Sequence, residues 1–122
     1  MPDPKPNIST AGADNRRRMG WRVLVVCLLG AAASIALALP WWLRASLAFP
    51  AALSAVCFAQ ARCMTCVLRA GQGTFEGDDL STVPAPADEV AASRRVSLGI
   101  LRDSLLVGAL AGAAAAATVW IR

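Results

Sequence analysis

The chain has 122 residues, 57% of them hydrophobic and 16% charged, against roughly 45–50% and 25% in an ordinary soluble domain. Mean hydropathy is +0.53 and the formal net charge +4. This excludes a disordered chain, a collagen-like repeat and a disulfide-framework mini-protein, and leaves room for one domain. The absence of His excludes Ser–His and Cys–His nucleophilic machinery. The basic residues flank apolar stretches without interleaved aromatics, which argues against a nucleic-acid partner. The fold class expected is an all-α integral membrane protein with three transmembrane helices.

Residues 1–19 are polar, carry Pro2, Pro4, Pro6 and Gly12, and read as a disordered cytoplasmic tail. Residues 20–69 read as a transmembrane helical hairpin. Its first span is expected over 21–42, where 17 uncharged residues (23–39) lie between Trp21 and Trp41-Trp42, aromatics that suit the two membrane interfaces. Ala36-Leu37-Ala38 resembles a signal-peptidase site, but the apolar core exceeds the 7–15 residues typical of a signal peptide, so a retained helix is the reading. The second span is expected over 48–68, with Pro50 in its first turn and a tight connection over 43–47. Arg62 lies within snorkelling reach of the surface.

Residues 70–92 contain Gly71, Gly73, Gly77, Pro84 and Pro86 with Glu76, Asp78, Asp79, Asp88 and Glu89, and read as a flexible acidic cytoplasmic loop. Asp88-Glu89 suit the positive end of a helix dipole. Residues 93–122 combine a basic juxtamembrane run with a third span over 104–121, Ala-rich and closed by Trp120 and Arg122. Lys5, Arg16, Arg17, Arg18 and Arg22 precede the first span, and Arg62, Arg69, Arg94, Arg95 and Arg102 flank the long loop. Only Arg44 and Arg122 fall on the other side. The positive-inside rule then gives N-in, C-out.

Four cysteines are present: Cys27, Cys57, Cys63 and Cys66. Cys63-Met64-Thr65-Cys66 is a C-x-x-C, and on one helix its thiols share a face. A register that sets Trp21 level with Arg69 puts Cys27 and Cys63 at a common depth. Cys27, Cys63 and Cys66 would then form a three-thiol cluster suited to a soft metal ion or to disulfide exchange. The competing reading is packing, since Cys buries well as a small apolar residue. Gly108 and Gly112 form G-x-x-x-G, and Gly30 and Ser34 a similar small pair. Such residues let membrane helices approach closely, onto a partner, a second copy or the chain's own hairpin.

Phe58-Ala59-Gln60-Ala61-Arg62-Cys63 through Cys66-Val67-Leu68, at the end of the second span, resembles the small inner-membrane hairpin domains associated with rhodanese domains, which carry a Cys at that place. The resemblance covers residues 20–68 and implies a two-helix membrane hairpin. This chain departs from it by a third span, and Val67 follows Cys66 where many of those domains have Pro. No residue role is carried over.

The function expected is non-catalytic. The chain reads as a small bacterial inner-membrane protein, an accessory or helix-packing subunit of a larger complex, with the lipid bilayer and other membrane subunits or a second copy as partners and no cofactor. The alternative is a thiol-redox or soft-metal-handling protein using Cys63 and Cys66.

Overall fold

A computed structural model describes residues 6–76 and 81–121. Pro2, Pro4, Lys5, Gly77, Asp78, Asp79 and Arg122 lie outside that range. Helix α1 (Thr10–Ala36) is opened by Ser9, whose hydroxyl accepts a hydrogen bond from the Gly12 N–H at 3.1 Å and so satisfies one of the donors that a helix start leaves over. The tail expected to be disordered through residue 19 is therefore helical from Thr10 onward. Extending an existing helix needs no new nucleus, and the Ser9 cap ends it cleanly. At the other end Ala38 takes a left-handed backbone (φ 50), the Leu39 N–H reaches back to the Ser34 carbonyl at 2.9 Å, and Pro40 stops the helix.

The chain reverses there. Helix α2 (Trp41–Ala45) and helix α3 (Ala48–Cys63) are separated only by Ser46 and Leu47, both with right-handed helical backbone. Together they form a 23-residue apolar stretch, Trp41–Cys63, long enough to cross a bilayer. α3 stops at Met64, which is left-handed with φ 51, so the second span ends five residues before its expected boundary at 68. A short helix α4 (Val67–Gln72) follows, capped by Gly73 at φ 70. Strands β1 (Thr74–Glu76) and β2 (Thr82–Pro84) then pair antiparallel, Phe75 opposite Val83. Helix α5 (Ala87–Ala117) begins with Asp88 and Glu89 in its first turn and runs 31 residues into a 3-10 turn at Thr118–Trp120. The expected flexible loop over 70–92 is thus, where described, the end of α4, a small hairpin and the first turn of α5. The hairpin is the one departure from an all-α fold among the described residues.

α3 lies between α1 and α5 and packs along both. Three helices are long and apolar enough to span a membrane: Thr10–Ala36, Trp41–Cys63 and Ala87–Trp120. Their packing inverts the polarity of a soluble protein. Ser54 and Ser104 are 3% and 2% exposed, while Phe49 and Leu110 are 80% and 71% exposed. The buried line of α5 runs Ser93, Ser97, Ile100, Ser104, Gly108, Gly112, so small residues face the neighbouring helices and leucines face outward, as lipid requires. The cluster of buried apolar side chains, Ile8, Ala13, Ala61 and Cys66 with Met64 against it, sits at the end of the bundle where α1 begins. On α5, the Ser93 hydroxyl is buried and finds no hydrogen-bond partner among the described residues. Ser93→Ala is expected to raise stability by about 0.5–2 kcal/mol, because it removes an uncompensated polar group. Reversible unfolding in detergent micelles checks this.

Candidate functional site

The register of the hairpin decides what the cysteines can do. The Ser54 hydroxyl donates to the Gly20 carbonyl at 3.0 Å, Trp21 meets the Phe58 ring edge-on with centroids 5.3 Å apart, and the Arg16 Nε donates to Gln60 Oε1 at 3.1 Å. The expectation that sets Trp21 level with Arg69 is corrected by these contacts. The Cys27 thiol lies 3.9 Å from the Leu47 carbonyl, just before α3 begins, whereas Cys63 is the last residue of α3. Sixteen residues of helix, about 24 Å at 1.5 Å rise, separate those two levels. Cys27 therefore does not join Cys63 and Cys66, and the described residues contain no group of three or more His, Cys, Asp or Glu placed to hold a metal ion. Nor do Cys63 and Cys66 share a helix face. Met64 breaks the helix between them, leaving Cys63 exposed and Cys66 buried.

The break is held from far away in sequence. Asn7 is 1% exposed. Its side-chain oxygen accepts from the Cys66 N–H at 2.6 Å, its Nδ2 donates to the Cys66 carbonyl at 3.2 Å, and its own N–H donates to the Met64 carbonyl at 3.0 Å. The side chain thereby satisfies the Cys66 N–H, which the interrupted helix leaves over, and adds a second donor to a carbonyl that already accepts from the Ala70 N–H at 3.0 Å. A left-handed non-glycine residue costs about 1–2 kcal/mol, and this staple offsets that cost. Asn7→Ala is expected to lower stability by about 1–3 kcal/mol, since it strands the buried Cys66 N–H, while the Cys66 carbonyl keeps the Ala70 N–H as its donor. Hydrogen exchange at Thr65 and Cys66 should accelerate in that variant while the centre of α3 stays protected. Asn7 was not among the residues the sequence singles out; the Ser9 helix cap two positions on is the nearest signal.

The G-x-x-x-G seam is used inside the chain. A Cβ at Gly108 would stand 2.7 Å from the Ala52 Cβ and 2.8 Å from the Ala48 carbonyl oxygen. One at Gly112 would stand 2.7 Å from the Ala48 Cβ and 2.9 Å from the Ala45 carbonyl oxygen. A Cβ at Gly30 would stand 3.2 Å from the Leu47 Cδ2, and Ser34, 5% exposed, donates to the Ala31 carbonyl. Of the open alternatives for the Gly108–Gly112 seam, the structure selects the chain's own hairpin.

At the far end Arg44 is 4% exposed. Its Nε donates to the Leu39 carbonyl at 2.8 Å and its Nη1 to the Thr118 hydroxyl at 2.9 Å, so one side chain ties the α1–α2 turn to the end of α5. At the end where α1 begins, Arg94 donates to the carbonyls of Ala70 and Gly71, both at 3.3 Å, closing the last turn of α4. Arg69 donates to the Thr82 hydroxyl at 2.7 Å. No family model matches the chain, and neither a curated protein nor a solved structure matches it.

Proposed function

We propose that this chain is a non-catalytic helical subunit of the bacterial inner membrane, with its N-terminus in the cytoplasm and its C-terminus outside, working by packing against larger membrane proteins. The inverted polarity of the bundle carries the reading. Serine and glycine are buried between helices, while Val25, Val26, Leu28, Leu29, Leu105 and Leu110 are uncovered. α1 packs chiefly on α3, which leaves a wide apolar surface for lipid or for another membrane helix. The contact between Arg16 and Gln60 brings the arginine-bearing ends of α1 and α3 together, that between Arg94 and Ala70 ties the first turns of α5 to α4, which follows α3, and Arg44 sits with Thr118 at the opposite end. That distribution supports N-in, C-out.

Purification in mild detergent followed by mass spectrometry tests the subunit role. Stoichiometric larger membrane subunits support it, and a chain that purifies alone overturns it. The orientation has a separate test in native Cys63, which is exposed. A membrane-impermeant maleimide is expected to label it in inside-out vesicles and not in intact spheroplasts. The reverse pattern overturns N-in, C-out.

A further inference from the structure

On α3, Ala52 faces Gly108 of α5 and Ser54 faces Gly20 of α1. Positions two apart lie about 200° round a helix, so the outer helices sit on opposite sides of α3, and among the described residues they scarcely meet. The three spans thus form a layer, with both flanks of α3 open. On one flank a groove of about 220 Å³ runs between α3 and α5. Ala55, Phe58 and Ala59 line it from α3 and Val107 from α5, and it carries one charge of each sign, Arg62 and Asp103. We propose that this groove is the contact surface for a second copy of the chain, closed by two reciprocal ion pairs, each between Arg62 of one copy and Asp103 of the other.

Both charges keep capacity for a partner. Arg62 is exposed and has no hydrogen-bond or ion-pair partner among the described residues. Asp103 receives the Arg102 Nε at one oxygen, Oδ1, and a carboxylate accepts at both. Although the two line one groove, no ion pair joins them within the chain among the described residues. Sharing a groove also puts them at one level. Two copies inserted with the same topology are related by an axis along the bilayer normal, and rotation about that axis leaves depth unchanged. Arg62 therefore faces groups at its own level on the second copy, and Asp103 stands there. A two-fold axis makes the contact isologous, so one pair implies two. The level is the edge of the hydrocarbon, because Trp21, an interfacial type of residue, packs on Phe58, which lines the same groove. Charges at that depth favour a protein partner over lipid, and Ala55 and Ala59 leave room for close approach.

The test is sedimentation of the full chain in neutral-detergent micelles, with charge reversals. The parent should form a dimer. Arg62→Glu alone and Asp103→Arg alone each set like charges across the axis, twice, and should raise the dissociation constant by about tenfold or more. Co-produced with different affinity tags, the two variant chains restore opposite signs at both contacts, and the mixed dimer should form with close to the parent's affinity and be captured on either tag. Pairing of Arg62 with Asp103 inside one chain cannot give that result, since each variant chain by itself holds like charges. Arg22→Glu makes the same charge change two positions beyond Gly20, which faces Phe58, and so on the side of α1 turned away from α3. It should leave the dimer unchanged. Recovery of the mixed dimer shows in the same experiment that both variants fold. Asp103→Asn, which removes the charge at an exposed site without reversing it, is the second variant and should weaken the dimer several-fold. A parent that stays monomeric at every concentration, or a mixed pair no tighter than the single variants, overturns the proposal. The inference rests on the membrane reading alone. A dimer that purifies without larger subunits would sink the subunit role and leave this interface standing, and larger subunits holding one copy of the chain would do the reverse.

Discussion

Gly108→Ala and Gly112→Ala are each expected to lower stability by about 1–3 kcal/mol, and the two valine substitutions together to separate α5 from α3. The cause is geometric. An added Cβ at either position falls under 3 Å from a backbone carbonyl oxygen of the facing segment, and backbone cannot swing aside as a flexible side chain can. Both sites press on Ala48, so the pair should be non-additive: once one residue has forced the helices apart, the second meets less resistance. Gly99 supplies the control. Nothing lies within 4 Å of its added Cβ, and alanine there should raise stability by about 0.5–1 kcal/mol through backbone entropy. Unfolding in mixed micelles measures all four variants. A Gly108→Ala chain as stable as the parent would overturn the close-contact account of this seam.

Arg44→Ala is expected to cost about 2–3 kcal/mol and to loosen the end of the bundle that carries the α1–α2 turn. Hydrogen bonds from a charged donor contribute about 1.5–3 kcal/mol each, and Arg44 makes two, to Leu39 and Thr118. Removing a buried guanidinium also ends its desolvation penalty, which offsets part of the loss. The partner variant sharpens the test. Thr118→Val keeps the charge buried and strands one of its donors, so it should cost about 1–3 kcal/mol, and the double variant should cost less than the two singles summed. Strict additivity would show that Arg44 and Thr118 do not act together.

Much of the architecture is legible in the residues themselves. The uncharged runs and flanking tryptophans mark three apolar helices, and small residues at four-residue spacing mark the seam on α5. The hairpin register is not legible from the same cues. Reading Trp41-Trp42 as the close of the first span puts the turn at 43–47, whereas the chain reverses around Ala38 and Pro40. Moving a hairpin turn shifts every opposite pair by twice the displacement, and a cysteine cluster built on the wrong turn comes apart. Pro40 was the available signal, since a helix rarely runs through a proline. The break at Met64 had no local signal. No Gly or Pro stands at 64–66, and the contacts that stabilise the break come from Asn7. Arg44 was counted as a topology charge because nothing near it in sequence reports that Thr118 closes over it.

The staple between Asn7 and Cys66 also bears on how the chain is made. Its partners are 59 residues apart, so Asn7 leaves the ribosome long before Cys66 is synthesised, and until then α1 has only its local Ser9 cap to hold its first turn. The three hydrogen bonds close only if both segments remain on the same face of the bilayer. A nascent chain that carried residue 7 across would forfeit them, along with the buried contacts of Ile8 and Ala13. The staple therefore requires the two segments to finish on a common side, whichever side that is.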